Sequence, residues 1–253
     1  MTERSTEVPR EEHTGAAYRR VTAALGEFAH TTDLTGHDEF PGLLLTDPEW
    51  LADRVADTGR RWGCDDARVN GTLWWYSASS TLVAAPLAML LTDGLAPDPD
   101  LTQLRCALRE NGYLAAVRSS RLLRMGDYST ALVAAHDAMI SALAAVSGAA
   151  PRALWAIAAD SIAGRALTAG RALGRIGDGC ALAESVTVAP MPTPRYVDIE
   201  GAGRGERFVR RCSCCLIYTA TGGDKCSTCP RRTPTERHAR LLERVVGAHS
   251  CGG

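Results

Sequence analysis

The chain has 253 residues, of which 45% are hydrophobic and 23% charged, and its formal net charge is −1. This composition is that of a globular protein and excludes a largely disordered chain. A net charge so close to zero gives no support to nucleic-acid binding by the chain as a whole. Residues 204–244 differ, because they carry ten basic and four acidic residues.

The N-terminal residues are polar and contain no basic stretch followed by an apolar one, so no secretory signal is predicted. We therefore expect a cytoplasmic protein, in which thiols stay reduced. Residues 1–12 are expected to be disordered. An α-rich main domain is predicted for residues 13–200 and a small cysteine-rich module for residues 201–253.

Helices dominate the main domain in the prediction. The first is expected over residues 14–30. The second begins at Pro48, a residue suited to the first helical position, after Asp47 as its cap. The uncharged stretch 69–92 predicts a buried central helix around residues 73–91, kinked or interrupted at Pro86. This stretch includes too many polar residues for a typical membrane span, although peripheral contact with the inner face of the membrane stays open.

A hairpin and two further helices follow in the chain. Asn111-Gly112 between apolar runs predicts a β-hairpin over residues 101–119. Two Ala-rich helices are predicted over residues 129–146 and 152–176. A connector rich in proline and glycine is expected over residues 177–205. The closing helix is predicted from a capping box at Thr233, with its end at Gly247.

Five cysteines fall within eighteen residues near the C-terminus, which predicts a metal site in a reduced compartment. Two sets of four compete. Cys212 and Cys215 with Cys226 and Cys229 form two CxxC pairs, as in a zinc ribbon. Replacing Cys212 by Cys214 gives C-C-x10-C-x2-C, which suits a binuclear iron–sulfur cluster. Neighbouring cysteines on an extended chain point apart, and a cluster accepts widely spread ligands more readily than a single ion does.

The second spacing resembles the C-terminal motif of the FhuF-type ferric-siderophore reductases. Arg211 and Ser213 before the cysteine pair, Gly222-Gly223 in the loop and Pro230 after the last cysteine agree with it. The resemblance implies a [2Fe-2S] cluster held by Cys214, Cys215, Cys226 and Cys229. Cys212 departs from the motif and stays open as an alternative ligand.

The predicted helices and hairpin indicate a fold class that is mainly α, or α+β with a small hairpin. The resemblance also implies a function, in which the main domain would bind a ferric siderophore. The protein would be an oxidoreductase that reduces Fe(III) in the siderophore, with a hydroxamate as the expected chelate, and releases Fe(II). Since no nucleotide-binding motif accompanies the cysteines, electrons would come from an external donor: a reductase, a ferredoxin or a reduced flavin. No nucleic-acid partner is expected.

Two groups of residues are candidates for supporting roles. Trp74-Trp75-Tyr76 resembles the N-terminal region of the family and could line a chelate pocket, although adjacent helical residues cannot all face one way. The arginines beside the cysteines would raise the cluster potential and help to dock an acidic donor, or would form a solvated basic rim. These are Arg210, Arg211, Arg231 and Arg232.

Two other functions remain open at this point. A zinc-ribbon protein could use the basic module to contact nucleic acid or a protein partner. Alternatively, an iron–sulfur protein could sense iron or redox state without turning over a substrate. Only a turnover measurement would separate this sensor from a reductase.

Overall fold

A computed structural model describes residues 11–25 and 30–247. The predicted fold class is confirmed: the described part is α-rich, with three small antiparallel sheets. The helices are α1 (Glu11–Ala24), α2 (Pro48–Trp62), α3 (Ala67–Asp93), α4 (Met125–Ser147), α5 (Pro151–Ala172), α6 (Ile176–Val186), α7 (Ile217–Thr221) and α8 (Pro234–Gly247). The strands are β1 (Asp38–Pro41), β2 (Leu95–Pro97), β3 (Leu104–Leu108), β4 (Leu114–Ser119), β5 (Leu122–Arg124), β6 (Tyr196–Gly201) and β7 (Arg204–Val209).

Helix α3 forms the centre of the core and continues through Pro86. It packs against α5, where Trp75 donates a hydrogen bond from Nε1 to the Leu154 carbonyl at 2.8 Å. The Ser79 and Ser161 hydroxyls meet at 2.8 Å along the same contact. Because both helices are buried over most of their surface, their apolar residues show no one-sided pattern, as the sequence indicated.

The sheets lie around these helices. Strands β1, β3 and β4 form one sheet in the order β1-β3-β4, β2 pairs with β5, and β6 pairs with β7. The predicted hairpin over residues 101–119 is confirmed as β3 and β4. Its turn contains Gly112 at a φ of 79°, a conformation that glycine adopts without strain.

Local capping predictions are confirmed at two helices. Asp47 accepts a hydrogen bond from the Trp50 N–H at 2.8 Å and so caps α2. At the start of α8, the Glu236 N–H donates to the Thr233 hydroxyl at 3.2 Å, and the Thr233 N–H donates to the Glu236 carboxylate at 2.9 Å. This is the reciprocal arrangement of a capping box.

The connector expected over residues 177–205 is wrong at both of its ends, where regular structure is found. Its first part is helix α6, which packs closely on α5. Gly179 permits this contact, since a Cβ atom there would lie 2.4 Å from the Ala166 carbonyl oxygen. The last part is strand β6, which crosses the boundary expected at residue 201. The hairpin β6–β7 shares a small apolar cluster with α8, formed by Ile199, Phe208, Leu241 and Val245.

The predictions for the N-terminal residues agree with the structure only in part. Helix α1 begins at Glu11, within the stretch expected to be disordered, and residues 1–10 lie outside the described residues. The helix ends at Ala24 and not at residue 30, while residues 26–29 are also outside the described part. Within the described chain, the helix long and apolar enough to cross a membrane is α4, and this criterion alone is weak evidence.

Candidate metal centre

The segment between β7 and α7 carries Cys212, Cys214 and Cys215 and lies on the first turns of α3. Cys215 and Leu216 are buried there against Val69 and Leu73. Leu216 has a φ of 63°, in the left-handed region that non-glycine residues seldom adopt. The chain therefore bends sharply directly after Cys215, at the point where adjacent cysteines must both turn towards one centre.

The cysteine sulfurs meet in two pairs. The Sγ atoms of Cys214 and Cys229 lie 3.7 Å apart. Cys215 and Cys226 form the second pair, since the interaction of their side chains is the largest influence on the pKa of each thiol. Cys215 and Cys229 are buried, while Cys214 and Cys226 are half-buried. Each pair joins one cysteine before α7 to one cysteine after it. The contacts between sulfurs therefore bring the two ends of residues 214–229 together.

The environment of Cys215 favours its thiolate. The hydrogen bond from Cys226, followed by the Ile217 N–H and the Arg211 guanidinium, lowers the pKa of Cys215 to about 5 against the opposing effect of burial. Burial raises the pKa of Cys214, although its sulfur accepts a bond from the Leu216 N–H. A cysteine must be deprotonated to bind a metal, so a thiolate at Cys215 suits a ligand role.

A buried carboxylate on α5 anchors the start of this segment. Asp160 accepts hydrogen bonds from the backbone N–H groups of Cys212, at 3.0 Å, and Ser213, at 2.9 Å. The Ser213 hydroxyl also donates to it. Arg211 lies 3.5 Å from the same carboxylate. Charged acceptors form strong hydrogen bonds, so Asp160 fixes the backbone immediately before the cysteine pair.

Cys212 belongs to this anchor. Its Sγ donates to Asp160 Oδ1 at 3.3 Å. Burial, together with the Asp160 charge, raises the pKa of the Cys212 thiol to about 11. The structure thus places Cys212 on the carboxylate as a protonated thiol, whereas the other four cysteines of the segment form the two sulfur pairs.

The four arginines predicted to tune the site differ in position. Arg211 is nearly buried, its Nη1 lies 3.6 Å from Cys226 Sγ, and its guanidinium covers the Tyr76 ring at 4.8 Å. Arg232 donates to the Cys226 carbonyl at 3.1 Å and pairs with Asp224. Arg231 is exposed and donates to the Tyr218 hydroxyl, and Arg210 is exposed. Arg211 therefore brings its positive charge closest to a cysteine sulfur in these contacts.

The aromatic triplet divides between core and site. Trp74 and Trp75 are 1% and 0% exposed, and each indole N–H donates to a backbone carbonyl. Their rings pack in the core. Tyr76 is 41% exposed and lies beside Arg211. Of the three, only Tyr76 is placed where a bound chelate could reach it.

The sulfur arrangement fits a binuclear cluster better than a single ion. Two thiolates on one tetrahedral metal, at bond lengths of about 2.3 Å, lie ~3.8 Å apart, which agrees with the 3.7 Å between Cys214 and Cys229. A single zinc ion requires that spacing among all four sulfurs. Within the described residues, no group of three or more Cys, His, Asp or Glu side chains is arranged to hold one metal ion. Four cysteines arranged in two pairs suit a binuclear cluster, which takes four thiolate ligands.

Asp160 is the residue that sequence reasoning missed. It is the acidic residue of an otherwise apolar and Ala-rich stretch of α5. Since acidic side chains are almost never fully buried without a partner, its position in such a helix was a usable signal. Its partners could not have been named, because they lie some fifty residues further along the chain.

Comparison with known proteins bears on this segment alone. Residues 211–231 match the family model described as the FhuF 2Fe-2S C-terminal domain. No curated protein gives a match to the chain. The match confirms the predicted resemblance and the predicted cofactor. The cysteine segment of this chain is therefore similar to the FhuF-type C-terminal domain, which supports a [2Fe-2S] cluster at this site.

Proposed function

We propose that the protein is a ferric-siderophore reductase that works in the cytoplasm. The observation that carries this proposal is the coincidence of two sulfur pairs with a segment that matches a [2Fe-2S] domain of the FhuF type. The expected substrate is a ferric hydroxamate. Peripheral contact with the inner face of the membrane and the absence of a nucleic-acid partner remain predictions.

Four cysteines would hold the cluster. Cys214 and Cys229 would bind one iron, and Cys215 and Cys226 the other, because these are the pairs that the fold brings together. Cys212 would stay a thiol on Asp160. A [2Fe-2S] cluster supplies one-electron transfer when it is bound.

The surrounding residues would prepare the site for this chemistry. Burial of Cys215 and Cys229 keeps water from half of the sulfurs. Arg211 and Arg232 place positive charge beside the ligand segment, which favours a more negative, reduced state. Asp160 fixes the backbone before Cys214, so the sulfurs need little rearrangement.

The substrate explains why one electron is enough. Fe(III) is a hard cation held tightly by negatively charged oxygen atoms, and Fe(II) is softer and more weakly held by them. Adding one electron therefore loosens the chelate and lets the metal exchange. The electron would come from an external reductase, ferredoxin or reduced flavin.

The test begins with protein purified without oxygen. We expect a red-brown sample with about two irons and two sulfides per chain that is bleached by dithionite. With excess dithionite and a ferric tris-hydroxamate, Fe(II) should form catalytically above the rate of the same mixture without protein. Fe(II) is measured with a chromogenic chelator.

Two results would contradict the proposal. A colourless protein with one bound zinc would support the zinc-ribbon interpretation instead. A cluster that is reduced once and forms no more Fe(II) than it holds electrons would indicate a sensor. Cys215→Ala is the control, because it should lose both colour and turnover while the helical core stays folded.

A further inference from the structure

A cleft of about 500 Å³ lies beside the cysteine segment. It opens between the first turns of α3, the first turns of α5 and the loops around Cys214 and Pro230. Sites for small molecules are typically concave and of about 300–1,000 Å³. The cleft is therefore large enough to admit much of a small chelate, and Cys214 forms part of its wall.

Three arginines and no acidic residue line this cleft: Arg68, Arg152 and Arg231. We call it the arginine cleft. Arg68 pairs at 3.1 Å with the exposed Asp66, and Arg231 donates to the Tyr218 hydroxyl. Arg152 is exposed and has no hydrogen-bond or ion-pair partner in the described part of the chain. The positive charge of the cleft is thus only partly compensated.

A second cleft, lined by Tyr76, Arg211 and Thr228 among others, gives a useful contrast. It measures about 270 Å³ and also has three arginines, but Asp160 lines it as well. Arg165 donates to the Ser80 hydroxyl at 2.8 Å, Arg171 pairs with Glu206 at 3.0 Å, and Arg211 lies 3.5 Å from Asp160. These arginines already have partners within the protein. An anionic ligand therefore gains more in the arginine cleft.

We propose that the arginine cleft binds the ferric chelate and selects chelates with net negative charge, such as a hydroxamate that bears a free carboxylate. This inference rests on the proposed function. A chelate in this cleft lies next to Cys214, one of the four proposed ligands. Short separation between donor and acceptor is what a one-electron transfer to the bound iron requires.

The charge balance of the reaction favours the same cleft. One electron passes to the chelate, Fe(III) becomes Fe(II), and no covalent bond forms or breaks. The complex gains one negative charge, so the arginines hold the reduced complex more strongly than the oxidised one. The electron is replaced by an external one-electron donor, which is a reduced flavin or ferredoxin in the cell and dithionite in the assay.

Binding can be measured without turnover by using gallium(III), which is not reduced under these conditions. Two probes form a matched pair: a linear tris-hydroxamate with a free terminal amine, whose gallium complex is singly positive, and the same chelator succinylated at that amine, whose complex is singly negative. Isothermal titration calorimetry on the cluster-containing protein gives both dissociation constants. We expect the negative complex to bind more tightly, with a difference that shrinks as salt is added.

The variant Arg68→Gln/Arg152→Gln should weaken binding of the negative complex by about three- to tenfold, as expected for the loss of exposed charge contacts. It should leave binding of the positive complex unchanged or stronger. Neither residue lies in the cysteine motif, so the visible spectrum should not change. The control Arg19→Gln/Arg204→Gln removes the same charge from exposed positions outside the cleft and should keep the preference.

Each other outcome identifies what has failed. The inference is overturned if Arg68→Gln/Arg152→Gln keeps the preference for the negative complex. It is also overturned if neither probe binds to the unaltered protein. If the ferric forms of the probes turn over while the cleft variant changes nothing, the proposed function stands and the cleft is not its substrate site. If the gallium complexes bind as expected but the ferric forms give no turnover, the anion site stands and the reductase proposal fails.

Discussion

The helical core and the cysteine segment are held together by different forces. Around α3 and α5 the side chains are apolar and buried, and Trp74 and Trp75 are almost fully enclosed. The cysteine segment buries Cys215 and Leu216 in a small apolar cluster, against which Cys214, Ile217 and Ala220 pack partly buried. Its other contacts are the Asp160 hydrogen bonds, the arginines and the sulfur pairs. Burial stabilises the core by itself, whereas the segment depends on polar groups and on its metal.

Removing one cysteine ligand of the cluster should have the largest effect, because it should disrupt the cysteine segment while the helical core stays folded. Cys215→Ala is expected to abolish the visible absorption and the bound iron, because a cluster with three thiolates lacks its fourth ligand. The far-UV circular dichroism should stay close to that of the unaltered protein, because the core helices need no metal. Visible spectra and iron analysis measure the first effect.

Cys212→Ala is the matched control for this change. Its sulfur lies on Asp160, so the variant should keep its iron and colour. Loss of the chromophore in Cys212→Ala with retention in Cys214→Ala would contradict the ligand assignment and favour the CxxC set.

The hydrogen bonds to Asp160 provide the next test of the difference between the helical core and the cysteine segment. Asp160→Ala removes the acceptor for the Cys212 and Ser213 N–H groups and leaves the buried Arg211 without its carboxylate. Breaking a buried charge pair on one side costs about 3–5 kcal/mol. We expect poor iron occupancy and a cysteine segment cut by protease, with the core helices still formed.

Limited proteolysis followed by mass spectrometry measures this effect, and iron is quantified on the same samples. Asp137→Ala serves as control, since Asp137 is an exposed aspartate on α4. Full iron occupancy and unchanged proteolysis in Asp160→Ala would show that the carboxylate does not position the segment.

The same structural contrast explains which features could be predicted from the sequence. The Asp47 cap, the Asn111-Gly112 turn and the Thr233–Glu236 capping box depend on residues within a few positions of each other, so their patterns were sufficient. The cysteine spacing was informative for a related reason, because a metal site imposes fixed distances within one short segment.

The missed features depend on distant partners. Helix α6 was taken for part of a linker because residues 177–205 contain several glycines together with Pro190, Pro192 and Pro194. In the fold, Gly179 lets α6 approach α5 more closely than any Cβ atom would allow. Trp74 and Trp75 were candidates for ligand contact because sequence alone does not tell which face of this uncharged helix reaches a cleft. Asp160 needed the three-dimensional arrangement before its partners could be recognised.

Low pH should lower the stability of the helical core through His136 on α4. This histidine is buried between Trp75, at a ring distance of 5.5 Å, and Trp155, at 6.3 Å. Burial lowers its pKa to about 4 from an ordinary value of 6.5. Between these values the unfolded chain binds a proton that the folded chain does not, so stability falls as pH decreases from 6.5 towards 4. The expected loss from this group is about 3 kcal/mol.

Urea unfolding at pH 7 and pH 4.5 measures this effect. The Cys215→Ala background removes any contribution from an acid-labile cluster. In that background His136→Phe, which keeps an aromatic ring between the tryptophans, should flatten the pH dependence, whereas substitution of the exposed His37 by Gln should not. An equally steep pH dependence in His136→Phe would assign the acid sensitivity to other groups.

The smallest expected effect is on the reduction potential of the cluster. Two neighbouring arginines, Arg210 and Arg211, allow it to be measured. Arg211 lies 3.6 Å from the Cys226 sulfur and is almost buried, whereas Arg210 is exposed to water, which screens its charge. Arg211→Gln removes a positive charge that favours the reduced state, so the potential should fall by several tens of millivolts, since ~59 mV corresponds to a tenfold change for one electron. Arg210→Gln should change it little, and Arg211→Lys should restore part of the loss.

Potentiometric titration followed by visible spectroscopy separates these cases, provided that iron content is first shown to be equal. Equal shifts in Arg210→Gln and Arg211→Gln would mean that the potential responds to the overall charge of the basic module. A shift confined to Arg211→Gln would mean that one desolvated contact sets it. Arg211 also lies against the Asp160 carboxylate that anchors the loop, so the same side chain would then couple the geometry of the ligands to the energy of the electron they accept.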